Sequence, residues 1–152
     1  MNASWNNGGV RQNADVNVGL AMAVDDGVVA PVIQKADVAD VASIAVARRS
    51  LADRARANRL QPTDLAGGTF TISNLGMFHV NAFTAIIVQP QAGILAVGAI
   101  ADRVVAVDGK PAVRPMMTVT LSSDHRVLDG ARAAAFLNDV VELIQHPETW
   151  LT

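Results

Sequence analysis

From Asp15 to Val24 the apolar positions fall on every second residue. Val16, Val18, Leu20, Met22 and Val24 alternate with small or polar neighbours, the period of a half-buried strand. Asp26-Gly27 follows as a turn signal, and Val28 to Ile33 forms a second apolar run in which Pro31 marks an edge or bulge position, so the two runs predict a hairpin. The period then changes. Behind Asp40, a helix N-cap, Val41, Ile44, Ala45, Arg48, Leu51, Ala52 and Ala55 form an apolar stripe interrupted by one arginine, which predicts a helix to about Asn58. Arg49, Asp53, Arg54 and Arg56 lie on its other side. Their density fits an anionic ligand or, more simply, a solvated face with pairs such as Arg49–Asp53.

Strand-like runs return at Thr69–Ser73, Phe83–Val88 and Gly93–Ile100. The first breaks at Asn74-Leu75-Gly76, and Gln89-Pro90-Gln91 separates the other two. Arg103–Val107, the turn Asp108-Gly109 and Val113–Leu121 predict another hairpin with a longer second strand. Asp129 opens a last helix to about Gln145, with Phe136, Leu137, Val140, Val141 and Ile144 at helical spacing and Pro147 ending it. Residues 1–14, polar and rich in Asn, read as an irregular entry. The order hairpin, helix, strands, helix predicts an α+β fold with a mostly antiparallel or mixed sheet in two layers, not a doubly wound parallel one.

Composition narrows the chemistry. Of 152 residues, 51 % are hydrophobic and 17 % charged, enough to bury a core in one domain. The formal charge of −2 offers no electrostatic case for nucleic acid or an anionic membrane, and no apolar run is long enough to span a bilayer. No targeting segment opens the chain, so a soluble protein is expected, cytoplasmic in a bacterium or in a mitochondrial matrix. The absence of Cys removes disulfides, thiolate metal sites and a Cys nucleophile, and three scattered His make no ligand cluster, so no metal is expected. Without Tyr, and with two Trp and four Phe, stacking platforms for single-stranded nucleic acid are lacking.

Two stretches carry candidate chemistry. Ser123-Asp124-His125-Arg126-Val127-Leu128-Asp129-Gly130 puts a histidine between two carboxylates at a strand-to-helix junction. Such a His suits a general base, while Asp129 reads equally as a helix cap. Ser73 ends its strand just before Asn74 and Gly76, where a Ser ordinarily shapes a turn. Gly67-Gly68 precedes a strand instead of a helix, so it is a turn and not a phosphate loop. No G-x-G-x-x-G, P-loop or G-x-S-x-G motif occurs. His146, beside Pro147, reads as a helix-end residue, and His79 likewise carries no chemistry of its own.

Asp124-His125-Arg126-x-x-Asp129-Gly130 resembles the signature of the acyltransferase component of 2-oxo acid dehydrogenase complexes, relatives of chloramphenicol acetyltransferase. Thr71-Ile72-Ser73-Asn74-Leu75-Gly76-Met77-Phe78 resembles that family's second signature, and the two stand in the family's order. The likeness extends to Asn2-Ala3-Ser4-Trp5, Val16 to Val32, Leu60-Gln61-Pro62 and Pro90-Gln91-Ala92, so it covers essentially the whole chain. Within the family it is most similar to the acetyl-transferring, pyruvate dehydrogenase branch. An acetoin-complex or branched-chain member is the alternative. His79 departs from the Gly usual at its place in that branch.

The resemblance implies a coenzyme A-dependent acyltransferase fold and transfer of an acetyl group between dihydrolipoyl-lysine and coenzyme A. The lipoyl-lysine would be carried on a separate domain. His125 would be the base, Ser73 the oxyanion donor and not a nucleophile, and Asp129, at a position held by Asp or Asn, an organiser of the site. Gly130 and Asn74 are weaker candidates for substrate binding, and Asp124 and Arg126 would shape the turn. The resemblance further implies a homotrimer with sites between subunits, a cubic or dodecahedral core built from trimers, and the dehydrogenase and dihydrolipoamide dehydrogenase components as partners. Residues 1–152 would be the C-terminal portion of one catalytic domain, with the lipoyl and peripheral-subunit-binding domains and the first part of the catalytic domain having no counterpart before Met1. A non-catalytic trimerising scaffold and a free chloramphenicol-type acetyltransferase are the rivals.

Overall fold

The computed structural model describes residues 1–149. The chain opens on a hairpin of β1 (Ala3–Asn6) and β2 (Gly9–Gln12) turning at Asn7-Gly8. The irregular entry expected there is therefore wrong. Asn7 and Gly8 take φ of 47° and 79°, the positive values a tight hairpin turn requires, and Asn-Gly accepts them at little cost. The alternating run becomes β3 (Val18–Val24). The turn is Asp25-Asp26, one residue before the Asp26-Gly27 expected, since Gly27 already pairs with Val24. Beyond it the partner splits into β4 (Gly27–Val29) and β5 (Val32–Ile33), both antiparallel to β3, with buried Pro31 between them as expected of a bulge position.

Helix α1 (Val41–Arg56) starts where the sequence places it, Asp40 accepting from Ser43 N at 2.7 Å. It packs on β3 and β5, and only Leu51, Ala52 and Ala55 of its stripe are buried. The expected Arg49–Asp53 pair does not form. Asp53 pairs with Arg56 at 3.3 Å, both ends exposed. Arg54 instead reaches out of the helix to Asp64 at 2.8 Å. Asp64 lies in the single turn α2 (Pro62–Leu65), which has Pro at its first position.

The centre of the fold is β6 (Phe70–Asn74), β7 (Gly93–Val97) and β10 (Val119–Ser123). The main sheet runs β10-β7-β6-β3-β4, with β5 also on β3. β3, β6 and β7 are parallel and the remaining pairs antiparallel, the mixed sheet expected. Ile94, Leu95 and Ala96 of β7 are buried, as a central strand requires. Between β7 and β10 the chain makes a separate hairpin of β8 (Ala101–Val107) and β9 (Lys110–Met116). The single strand expected over Val113–Leu121 is thus two, in two sheets.

The strand expected at Phe83–Val88 does not form either. Ala85 C=O accepts from Ser122 Oγ at 2.8 Å, and Val80 C=O accepts from Ala99 N at 2.8 Å. Side chains of a strand stand perpendicular to the sheet, so a segment held by the Ser122 hydroxyl crosses the sheet face and has no ladder to join. A Cβ on Gly98 would run into the Asn81 carbonyl, which explains the glycine there.

Helix α3 (Gly130–Gln145) closes the chain, with a further turn at Pro147–Thr149. Phe136 meets Phe70 of β6 edge-on, centroids 5.7 Å apart, and fixes the helix against the sheet. His79 takes φ of 59°, a left-handed conformation that glycine adopts without strain. His146 caps the exposed end of α3, as expected.

Candidate active site

His125 sits on a turn between β10 and α3, its side chain exposed. Asp124 N donates to Ala92 C=O at 2.8 Å, which extends the β10–β7 pairing by one residue. Asp124 C=O accepts from Val127 N at 2.9 Å and Leu128 N at 3.0 Å, which closes the turn beneath His125. The Asp124 carboxylate accepts from Arg126 N and Nε at 3.0 Å and from Nη2 at 2.7 Å. The Arg126 guanidinium holds that carboxyl below the usual range, aided by the backbone N–H, and the carboxylate raises Arg126 in return. Buried Leu128 anchors the far side of the turn.

Asp129 caps α3, accepting from Arg132 N at 2.8 Å, and pairs with Arg132 Nε at 3.5 Å. Within this chain its side chain therefore serves the helix. Gly130 begins α3, and an added Cβ would have nothing within 4 Å. Packing inside the chain does not demand a glycine there.

Ser73 lies near the C-terminal end of β6, half-buried, its backbone opposite Ala21 on one side and Ala96 on the other. Asn74 is exposed, its Oδ1 accepting from Gly76 N at 2.8 Å. That bond turns the chain out of the sheet immediately after Ser73.

The two candidate centres are not brought together in one chain. Ser73 is level with Ala96, which is level with Thr120, whereas Ser123 is level with Gly93. Two strand spacings of about 4.8 Å and three rises of about 3.3 Å separate Ser73 from Ser123, on the order of 14 Å, and His125 lies beyond. Hydrogen-bond reach is about 3 Å, so one chain cannot present both side chains to a single reacting group.

Sequence reasoning gave Trp5 no role. The Arg126 Cζ lies 5.6 Å from the Trp5 ring centroid, so β1 touches the His125 turn. The available signal was Asn7-Gly8, which makes residues 1–14 a hairpin with a fixed face. Among the described residues no group of three or more His, Asp or Glu is placed to hold a metal ion, and no helix is long and apolar enough to cross a membrane.

The family model for 2-oxoacid dehydrogenases acyltransferase (catalytic domain) matches residues 1–152. The dihydrolipoyllysine-residue acetyltransferase component of the mitochondrial pyruvate dehydrogenase complex of Schizosaccharomyces pombe is 45 % identical over 150 residues, 97 % of this chain and 31 % of that protein. The chain thus spans about a third of the length of that relative. The solved structures of Azotobacter vinelandii dihydrolipoamide acetyltransferase and of the cubic core of a pyruvate dehydrogenase multienzyme complex each superpose with a TM-score of 0.93 at 34 % identity. Each match covers 99 % of this chain and 63 % of the other. The Azotobacter work concerned the role of one serine, one histidine and one asparagine in the catalytic mechanism.

Proposed function

The chain belongs to the catalytic-domain family of the 2-oxoacid dehydrogenase acyltransferases, and from that premise we propose that it transfers an acetyl group between dihydrolipoyl-lysine and coenzyme A. The observation that carries this reading is spacing. The serine, histidine and asparagine of the Azotobacter enzyme are separated along its chain as Ser73, His125 and Asp129 are along this one. Asp129 stands where that enzyme has asparagine. Both side chains cap a helix equally well, so the departure leaves the turn intact.

His125 takes the proton of the attacking thiol, whose sulfur adds to the thioester carbonyl carbon. Thiols near their ordinary pKa are mostly protonated at neutral pH, which is why a base matters. The carbonyl oxygen becomes an oxyanion and accepts a hydrogen bond from Ser73 Oγ. Collapse reforms the carbonyl and breaks the bond to the original sulfur, which leaves with the proton returned by His125. No acyl-serine forms. A site shared between two copies of the chain, in a trimer, is supported by the strand register, in which Ser73 and His125 lie at opposite ends of the sheet. Trimers in turn build a cubic or dodecahedral core that serves the dehydrogenase and dihydrolipoamide dehydrogenase components, a reading supported by the likeness to a cubic core. Coenzyme A and the lipoyl-lysine of a separate domain are substrates in this scheme.

Two assays test the proposal. Acetyl transfer from acetyl-coenzyme A to free dihydrolipoamide should be present in the wild type and collapse in His125→Ala. Folded, oligomeric protein without transfer would favour the scaffold reading, and transfer to chloramphenicol in place of dihydrolipoamide the free-acetyltransferase reading. Co-refolding Ser73→Ala with His125→Ala should regenerate intact sites at some interfaces. Mixed trimers with no recovered activity would sink the shared site.

A further inference from the structure

Gln91 and Ala92 hold two distant segments side by side. Gln91, buried and accepting from Thr71 Oγ1 at 2.6 Å, bridges to Ser4 of β1. The next residue, Ala92, receives Asp124 N at the foot of the His125 turn. Trp5 and Arg126 are thereby brought face to face, 5.6 Å from guanidinium carbon to ring centroid, inside the roughly 6 Å range in which a cation is drawn to an aromatic face. The same guanidinium donates to the Asp124 carboxylate through both Nε and Nη2. It is pinned between a carboxylate and an indole, and His125 stands in the chain between the two residues that make the pin.

We propose that Trp5, Arg126 and Asp124 form a positioning clamp for His125. The clamp rests on the acetyl-transfer reading of His125 and adds to it a positioning role for the N-terminal hairpin. An exposed imidazole on a five-residue turn has rotational and backbone freedom that would spread it over orientations useless for proton transfer. Fixing Arg126 on one side of it and Asp124 on the other removes that freedom without touching the imidazole. The guanidinium suits the task because its plane can stack on indole while its edge forks to a carboxylate; the compact ammonium of lysine cannot do both.

The experiment measures steady-state acetyl transfer for Trp5→Ala, Trp5→Phe, Arg126→Lys and the double variant Trp5→Ala/Arg126→Lys, beside amide hydrogen exchange at Val127 and Leu128. Trp5→Ala and Arg126→Lys should each lower kcat by roughly ten- to a hundred-fold with KM for acetyl-coenzyme A unchanged, the cost of a slightly misplaced base. The double variant should be no worse than the worse single one, because both break one device. Trp5→Phe, which keeps an aromatic face, should recover most of the rate. Exchange at Val127 and Leu128 should quicken in the two damaging variants and not in Trp5→Phe. Wild-type kcat in Trp5→Ala, equal loss in Trp5→Ala and Trp5→Phe, or unchanged exchange would each overturn the clamp. A His125→Ala variant that transfers at the wild-type rate would overturn the role of His125 as the base, and the exchange rates would then decide the clamp alone.

Discussion

The two ends of the main sheet hold their candidate groups by different means. At one end Ser73 is fixed by the backbone ladders of β6, with Ala21 and Ala96 as neighbours, and no side chain is needed to keep it there. At the other end His125 has left the sheet. Its turn is kept by backbone bonds to Asp124 C=O, by the Arg126–Asp124 fork, by the Trp5 ring and by buried Leu128. The role proposed for Ser73, an oxyanion donor, needs a group that holds still, which a central strand provides by construction. The role proposed for His125, a base, needs a group that is exposed and yet oriented, which a loop achieves only with side-chain ties. Substitutions around Ser73 should therefore alter chemistry with little change in stability. Substitutions of the residues that tie the His125 turn should couple the two, while His125 itself, which makes none of the ties, should not.

The largest test of that contrast is His125→Ala, expected to cut kcat by about 10²–10⁴-fold with an unchanged thermal midpoint, read from transfer kinetics and melting together. Ser73→Ala should cost on the order of 10²–10³-fold in kcat and leave the urea midpoint within error, because the ladder does not involve its hydroxyl. A fall in stability comparable to that of a core truncation would break the contrast. Leu128→Ala removes the buried anchor of the turn. It should cost roughly 2–5 kcal/mol in denaturant unfolding and lower kcat as well, where an effect on stability alone would show that the turn does not depend on it.

Asp129→Ala should destabilise by about 1 kcal/mol through the lost cap, with Asp129→Asn near wild type in stability. An Asn variant that keeps stability but loses activity would show that the charge acts beyond capping. The smallest effect concerns acid. The Asp124 carboxyl is held low in the folded protein by Arg126, so its contribution is present above the ordinary Asp value of about 3.9 and is lost as pH falls through the lowered folded value. Urea unfolding from neutral pH downward should show that decline. Asp124→Asn should flatten it and lower stability at neutral pH.

Much of the local structure is legible in the sequence alone. Asp40 and Asp129 cap the helices that follow them, Asp108-Gly109 turns a hairpin, and Pro147 ends α3, while the turn expected at Asp26-Gly27 falls one residue earlier, at Asp25-Asp26. Each depends on a few neighbouring residues whose conformational preferences are local. The errors came where local preference was silent or misread. Asn7-Gly8 was a hairpin signal lost in a polar stretch. Phe83–Val88 has a strand's composition but crosses the sheet face through Ser122, with Ile86 exposed. The Arg49–Asp53 pair was plausible by spacing, yet Asp53 took Arg56 and Arg54 took Asp64 from a neighbouring turn.

By itself, then, the sequence determined the two long helices with their caps, several of the strands and turns, and the two motif segments, because these follow from interactions within a few residues. Only the tertiary structure decided that β3, β6 and β7 run parallel, that Ser73 and His125 stand at opposite ends of one sheet, and that Trp5 meets Arg126. Those facts depend on strand order and register, which are set by long-range pairing and burial and leave no mark in any short window of the chain.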